Sequence, residues 1–379
     1  METIPHFQEI PVTYKPEKTF QNAWDAATRH RLGFAAWRMP GEKEAAWMVG
    51  HFETIDPLNI TPPVFLRGLF NNMLPAEGLF PQTAHLGHSI FNRSESPINL
   101  DELFAENPVL KHQKGQFAES NNNTSKKDYI ALCKKALEKI RNNELQKVVP
   151  AREKQVELTD SFYPPAFFDE LCKNYPDAFV SISFDPREDA PCGGIWINAT
   201  PELLLEINEN KISTMALAGT VRQNSSGFSE KEKEEQTLVE KYISEILENY
   251  NENYRIEAAE MQNAGHLSHI RTNYTTDLNG NWGKLLKELH PTPAVCGYPA
   301  QKALRFILDN ETINRGYYAG FLGPVLEEFH ASIFVNLRCM QVKNNLARLY
   351  AGAGIVKDSS PEKEWEETEE KINTLLNLL

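Results

Sequence analysis

The chain has 379 residues, of which 41% are hydrophobic and 10% aromatic, and it carries a formal net charge of −13 at pH 7. The apolar content is sufficient for a large core and argues against disorder, whereas the acidic balance disfavours binding to nucleic-acid phosphates. We find neither an apolar run of the ~20 residues that cross a bilayer nor an N-terminal secretion signal. Five scattered cysteines without a CxxC pair are typical of free thiols in a reducing compartment. We therefore expect a cytoplasmic protein with no membrane partner and no nucleic-acid partner.

The first hundred residues alternate short extended runs with turns. Two apolar runs on either side of Pro40 and Gly41 predict a β-hairpin over residues 33–50. The polar composition of residues 105–127 predicts a loop or linker. Ser125 is then placed to cap a helix whose apolar positions are Ile130, Cys133, Leu137 and Ile140.

The rest of the chain alternates groups of strands with long helices. A helix is predicted from about Ser229 to Tyr250, with an apolar stripe through Val239, Tyr242, Ile243 and Ile246, and another starts near Pro361. Six segments have the composition of strands, namely residues 146–158, 178–186, 193–207, 211–221, 333–342 and 346–352. Consecutive strands separated by helices indicate an α+β fold with stacked antiparallel sheets and helices outside.

Two titratable residues occupy apolar surroundings in which their pKa values would shift. Lys147 lies within an apolar strand, where desolvation would lower its pKa toward that of a general base. Glu202 adjoins the apolar run that follows Pro201, where its carboxyl would stay protonated and could donate a proton. A solvent-facing lysine at a strand edge and a turn glutamate are the commoner interpretations of such residues.

Carboxylates on the two long helices suggest a metal site. Glu232 and Glu235 fall on the apolar stripe of the first helix, where a carboxylate is costly unless it is paired or bound to a metal. Oxygen-only ligands favour Mg²⁺ over zinc. On the C-terminal helix Glu364, Glu367 and Lys371 share a face, and the last two also have the spacing of an ordinary surface ion pair.

A few further residues could bind an anion or a metal. Arg338 lies on an apolar strand and could bind a carboxylate with two hydrogen bonds. The glycine-rich segment around Gly352 and Gly354 lets backbone amides approach a carboxylate closely. Two pairs of histidines at i, i+3 spacing have no third ligand nearby and are interpreted as packing or loop residues: His85 with His88, and His266 with His269.

A set of segments in this order resembles the chorismate-utilising enzymes, and within them the isochorismate synthases. The match covers roughly the last two-thirds of the chain. We therefore expect one unit over residues 1–379, in which residues 1–120 are less distinctive and residues 121–379 carry the motifs. The matching segments are KVVPAR at 147–152, ATPELLLE at 199–206, LAGTVR at 217–222, KEKEEQTLV at 231–239, LHPTPAVCGYP at 289–299, RGYYAGFLG at 315–323, NLRC at 336–339 and RLYAGAGIVKDSSPEKEWEETEEK at 348–371.

The resemblance implies a reaction and a role for each matching residue. Lys147 would deprotonate the attacking water, and Glu202 would protonate the departing 4-hydroxyl of chorismate. Glu235 and Glu367 would hold Mg²⁺, with Glu232 and Glu364 as neighbouring acids acting through water. The residues expected around the substrate are Gly219, Thr220, Tyr318, Arg338, Gly352, Gly354 and Lys371.

The resemblance also separates the reaction branches. Relatives that make anthranilate tend to have glutamine in place of Lys147, and relatives that make aminodeoxychorismate place a lysine in place of Ala218. This chain is therefore expected to use water, as a monomer and without a glutamine amidotransferase subunit. Gln236 in place of histidine, and Val221-Arg222-Gln223 in place of Arg-Pro-Arg, put the metal affinity in question. A salicylate synthase and a catalytically silent chorismate-binding regulator remain alternatives, and the product could serve menaquinone or catechol siderophore synthesis.

Overall fold

The computed structural model describes most of the chain, in the ranges 7–11, 16–71, 75–86, 89–93, 96–105, 107–111, 118–119, 123–187, 190, 192–223 and 227–379. Strands dominate this part of the chain. Their bounds are β1 Phe7–Pro11, β2 Gly33–Arg38, β3 Ala46–Ile55, β4 Val64–Gly68, β5 Ala76–Leu86, β6 Ser89–Arg93, β7 Ala118–Glu119, β8 Lys147–Val148, β9 Ala151–Glu157, β10 Phe179–Asp185, β11 Gly194–Thr200, β12 Leu203–Asn208, β13 Lys211–Arg222, β14 Arg255–Ile256, β15 Glu260–Ala264, β16 Leu267–Asp277, β17 Gly297–Tyr298, β18 Phe321–Glu327, β19 His330–Val335, β20 Cys339–Lys343 and β21 Leu346–Gly352.

Helices lie between groups of strands. Their bounds are α1 Pro16–Arg29, α2 Leu100–Leu103, α3 Lys126–Arg141, α4 Pro164–Asn174, α5 Glu230–Tyr250, α6 Trp282–Leu289, α7 Ala300–Asn310 and α8 Pro361–Leu376. Within the described ranges, none of these helices combines the length and the apolar character that a membrane crossing requires.

The strands form two long antiparallel runs that meet at β5. One run has the order β7-β9-β21-β20-β11-β10-β2-β3-β5. The other continues from the opposite edge of β5 in the order β4-β18-β19-β12-β13-β16, with β14 and β15 both paired to β16. Every pairing between the described strands is antiparallel, and N-terminal strands pair directly with C-terminal ones at β2–β10 and β4–β18.

The side chains of successive strand residues point to opposite faces, so each strand contributes to two cores. In β2, Phe34 and Ala36 pack with α1, α4 and α8, whereas Ala35 and Trp37 join a core shared by both runs. In that shared core the rings of Phe179 and Phe334 stack with centroids 4.1 Å apart. The sheets therefore stack face to face with helices outside, and the predicted α+β fold is confirmed.

Three of the predicted strands are interrupted where the sequence offers a reason. Pro150 cannot donate to a ladder, and it separates β8 from β9. Pro201 ends β11 in the same way, so the segment 193–207 forms two strands rather than the one predicted. The segment 333–342 is also two strands, because Arg338 adopts a left-handed backbone conformation with φ +46°.

The predicted hairpin and helix starts are confirmed. β2 and β3 pair as a hairpin over residues 33–55, and Ser125 caps α3 by accepting a hydrogen bond from the Asp128 amide at 3.1 Å. In α3, Tyr129 is buried where the expected stripe had Ile130, which is half-buried. The polar segment 105–127 is described only in part, and α3 already begins at its last two positions. His88 lies outside the described residues, and His85 packs beside Trp47.

Candidate active site

The short strand β8 buries Lys147 completely and places its ammonium next to a carboxylate. Lys147 Nζ lies 3.0 Å from Glu235 Oε1, which comes from the first turns of α5. Gly354 makes this contact possible, since a Cβ at that position would lie 2.0 Å from the same oxygen. Burial lowers the pKa of Lys147, although the charges of Glu235 and Glu202 oppose that shift.

Glu202 lies at the break between β11 and β12 and is only 3% exposed. Burial raises the pKa of Glu202 to about 8, against the opposing charges of Lys147 and Lys371. Its carboxyl is therefore protonated at neutral pH. A buried amine with a lowered pKa beside a buried acid with a raised pKa is the arrangement that general acid–base catalysis requires.

A small cavity of about 50 Å³ brings together most of the predicted site residues. Its walls come from β13, β16, β21, α5 and α8, and from the loops at Val149, Glu202, Val295, Tyr318 and Arg338. Those of the predicted residues that line it are Glu202, Thr220, Glu235, Tyr318, Arg338, Gly352 and Lys371. Lys147 and Gly354 lie behind Glu235, so the structure places them one contact away from the cavity.

Arg338 is buried at 6% exposure and held by two side chains. Its Nη1 donates to Thr374 Oγ1 at 3.0 Å, and its Nη2 lies 3.1 Å from Nε2 of His269. Because a guanidinium only donates, Nε2 is the acceptor and the ring proton is on Nδ1, which lies 3.3 Å from Thr220 Oγ1. Burial, reinforced by Arg338, lowers the pKa of His269 to about 3, which keeps this imidazole neutral.

Lys371, Gly352 and Tyr318 form another part of the cavity wall. Lys371 Nζ donates to the Gly352 carbonyl at 2.9 Å and lies 2.7 Å from Glu367 Oε1. Gly352 leaves room for Tyr318, because a Cβ there would lie 3.0 Å from the phenol oxygen. Gly219 has φ +62° at a bulge in β13, where a Cβ would lie 2.9 Å from the Glu232 carbonyl of α5.

Four carboxylates gather where α5 meets α8, and Lys231 lies among them. They belong to Glu232, Glu235, Glu364 and Glu367. Lys231 Nζ is 2.9 Å from Glu364 Oε1, 3.9 Å from Glu367 Oε2 and 4.0 Å from Glu232 Oε1. Burial and the neighbouring Glu367 raise the pKa of Glu364 to about 7. The pKa of Lys231 is raised by Glu367, Glu235 and Glu364 in spite of burial. Three of these acids, Glu232, Glu364 and Glu367, border a wider cavity of about 410 Å³.

The chemistry of this cluster fits a magnesium ion, because it offers only carboxylate oxygens and one of the acids is held at a raised pKa by its neighbours. Among the described residues, however, no three acidic, histidine or cysteine side chains converge on one point. The positive charge of the Lys231 ammonium neutralises part of the negative charge of these carboxylates. A divalent ion would take over that role or share it with the ammonium.

Two residues that contact the predicted site have no predicted role in it. His269, interpreted from the sequence as a packing or loop residue, is buried, and it also lines the cavity and contacts Arg338 and Thr220. The antiparallel register of β13 and β16, which pairs Thr220 with His269, could have indicated it. Lys231 belongs to the matching segment KEKEEQTLV, but the sequence predicts no role for it. His266, which has the i, i+3 spacing to His269, lies apart from it near the surface and pairs with Glu370.

Comparison with known proteins assigns the family. The sequence family described as chorismate binding enzyme matches residues 87–379, well over half of the chain. The chain belongs to the chorismate-binding enzymes.

Curated relatives of this chorismate-binding enzyme include isochorismate synthases. Isochorismate synthase EntC of Escherichia coli K12 is 33% identical over 52% of this chain and 54% of that protein. Isochorismate synthase MenF of Haemophilus influenzae is 30% identical over 64% of this chain and 58% of that protein. The salicylate biosynthesis isochorismate synthase of Pseudomonas aeruginosa is 30% identical over 72% of this chain and 59% of that protein. The chain thus spans little more than half the length of these relatives.

Solved structures share the fold over nearly the whole chain. The menaquinone-specific isochorismate synthase MenF of Escherichia coli has a TM-score of 0.80 at 21% identity and covers 98% of this chain and 94% of its own. Anthranilate synthase component I of Streptococcus pneumoniae has a TM-score of 0.66 at 18% identity, covering 99% of this chain and 93% of its own. At these identities the likeness concerns the fold alone.

Proposed function

We propose that this chain converts chorismate into isochorismate. The observation that carries the proposal is a pair of buried groups whose pKa values shift in opposite directions. The pKa of Glu202, which lines the cavity, is raised to about 8, and the pKa of Lys147, one contact behind the cavity wall at Glu235, is lowered. Membership of the chorismate-binding enzymes supplies the substrate class, and the named relatives support the choice of product.

In the proposed reaction Lys147 takes a proton from the water that adds at C2 of the ring. The two ring double bonds shift, the C4–O bond breaks, and Glu202 gives its proton to the departing 4-hydroxyl, which leaves as water. One water enters and one leaves, so the product is an isomer. General acid–base help of this kind typically contributes 10²–10⁴ in rate.

The cationic side chains around the cavity would bind the substrate's two carboxylates. Arg338 is oriented by Thr374 and His269, so its remaining N–H groups are preorganised for a carboxylate. Lys371 lines the same cavity. These local charges explain how a chain of net charge −13 could bind a dianion.

We propose that Glu235 and Glu367 hold Mg²⁺, with Glu232 and Glu364 as neighbours. When bound, the ion would neutralise the ring carboxylate of chorismate. The choice of water over ammonia is supported by Ala218, a small apolar residue that lines the cavity where a nucleophilic lysine would otherwise stand. We accordingly propose a monomer that needs no ammonia-supplying subunit.

The decisive experiment incubates the purified chain with chorismate and Mg²⁺ and identifies the product by chromatography. Isochorismate as the accumulating product supports the proposal. Accumulation of salicylate with release of pyruvate would assign the chain to the lyase branch instead. Binding of chorismate without any turnover would show a silent chorismate-binding protein.

A further inference from the structure

A buried ion pair lies behind the active site, just past the end of α7. Glu311 and Arg315 have side chains only 3% and 5% exposed. Arg315 Nε donates to Glu311 Oε2 at 2.8 Å, and its Nη2 donates to Oε1 at 2.5 Å, so the contact is bidentate. Removing one partner of such a pair leaves an uncompensated buried charge, whereas replacing both by apolar residues of similar volume is often tolerated.

Glu311 and Arg315 also form hydrogen bonds with three backbone groups next to the cavity. Arg315 Nη2 also donates to the Val149 carbonyl at 2.6 Å, and Nη1 donates to the Val295 carbonyl at 3.0 Å. Glu311 Oε1 accepts from the Ala151 amide at 2.8 Å. Val149 and Val295 both line the 50 Å³ cavity. One ion pair therefore joins residues 149–151, which follow Lys147 in the chain, to the segment that contains Val295.

The ion pair reinforces a short backbone pairing. The Val149 amide donates to the Cys296 carbonyl at 2.9 Å. Three residues after Lys147, Pro150 has no N–H, and it separates β8 from β9. Two aromatic rings cover the guanidinium, with Arg315 Cζ 4.1 Å from the centroid of Phe70 and 5.7 Å from that of Tyr318. Tyr318 is itself a wall of the cavity.

We propose that Glu311 and Arg315 are positioning residues for the reaction: they fix the backbone on both sides of Pro150 and thereby the place of Lys147 relative to bound substrate. This inference rests on the proposed function, because it assumes that Lys147 is the base. Neither side chain is among those that line the 50 Å³ cavity. A misplacement of about 1 Å at a reacting group can cost about 100-fold in rate.

The test is a double variant, Glu311→Leu with Arg315→Met, which removes both charges and keeps their bulk. We expect a folded protein whose kcat falls about 100-fold while KM changes less than about threefold, because Arg338 and Lys371 still bind the carboxylates. The matched control is Arg305→Met with Asp309→Leu, an exposed ion pair on α7 with a distance of 3.6 Å. It should leave kcat and KM unchanged.

Amide hydrogen exchange gives a second readout that does not need turnover. The Val148 amide donates to Ile355 and the Val149 amide to Cys296, so both are protected in the native protein. Faster exchange at these two amides in the double variant, and not in the control, supports the inference even if wild-type protein forms no isochorismate. The absence of isochorismate formation by the wild-type protein would refute only the proposed function.

Two outcomes overturn the inference. The first is a folded double variant with kcat within threefold of wild type, and the second is unchanged exchange at Val148 and Val149. If the double variant fails to fold, Arg315→Lys takes its place, because a lysine keeps the charge opposite Glu311 but cannot bridge both carbonyls. Normal kcat in that variant would equally refute a positioning role.

Discussion

At the scale of single residues, Lys147 decides the identity of the nucleophile. Lys147→Ala removes the group proposed to take the water proton, so kcat should fall by a factor on the order of 10²–10⁴ while substrate binding changes little. Steady-state kinetics on chorismate check this. Ammonium should not replace water in the wild-type protein. Unimpaired kcat in the variant, or amination at a rate similar to hydration, would place the chain in the aminating branch.

Glu202 should control the alkaline side of the pH profile. Its pKa of about 8 means that it carries the proton it donates below that pH and loses it above. We therefore expect kcat to fall about tenfold per pH unit well above pH 8, and to fall at low pH as Lys147 becomes protonated. Glu202→Gln cannot ionise, so its low residual kcat should lack the alkaline decline. An alkaline decline that persists in this variant would assign it to another group.

Lys231 should compete with a divalent ion for the acidic cluster. Titration calorimetry with Mg²⁺ alone is expected to show weaker binding for Glu235→Gln and, on the order of tenfold, tighter binding for Lys231→Met, because a positive charge about 3–4 Å from the carboxylates is removed. Lys233→Met is the matched control, since Lys233 is exposed and pairs with Glu230 outside the cluster. Equal affinity in wild type and Lys231→Met would contradict the competition.

At the scale of elements, the turn between β21 and α8 holds Glu235 against Lys147. In Gly354→Ala the new Cβ would lie 2.0 Å from Glu235 Oε1 and 3.1 Å from Lys147 Cε, so the carboxylate has to move. We expect kcat to fall at least about tenfold through the displaced base. Gly280→Ala provides the comparison: nothing lies within 4 Å and φ is +83°, so only stability should fall, by about 1 kcal/mol. Normal activity of Gly354→Ala would show that the contact is dispensable.

The elements also show what the sequence could and could not predict. Local signals located α3, α5 and α8, since Ser125, Ser229 and Pro361 begin these helices and the apolar stripes follow. Strand breaks at Pro150 and Pro201 were hinted at by the prolines alone. The contact of His269 with Arg338 depends on residues 69 positions apart and on the register of β13 against β16. No local pattern encodes such a contact.

The resemblance to a family predicts a pairing that periodicity cannot. Glu235 and Glu367 are on different helices, and only the ordered set of motifs predicts that they share a metal; in the structure both lie close enough to Lys231 to raise its pKa. Helical spacing places Glu235 on the buried face of α5, where a carboxylate needs a partner. It did not reveal that the partner would be Lys147 from β8, at 3.0 Å.

At the scale of the whole molecule, we propose that residues 1–379 form one folding unit. The direct pairings of β2 with β10 and of β4 with β18 support this, because N-terminal strands share ladders with C-terminal ones. Thermal unfolding followed by calorimetry and by near-ultraviolet circular dichroism should then show one coincident transition. Two separated transitions, one of them retained in a chain shortened to residues 121–379, would indicate two independent units.

The small volume of the cavity sets a condition on the proposed reaction. A volume of about 50 Å³ holds a water molecule or two, whereas pockets that accept small organic ligands usually measure ~300–1,000 Å³. The walls contributed by α5, α8 and the loop at Arg338 would therefore have to move apart before a ring compound binds, and again before the product leaves. Loop motions of this kind usually occur in microseconds to milliseconds. However well the acid and base are tuned, the proposed turnover could not exceed the frequency of that movement.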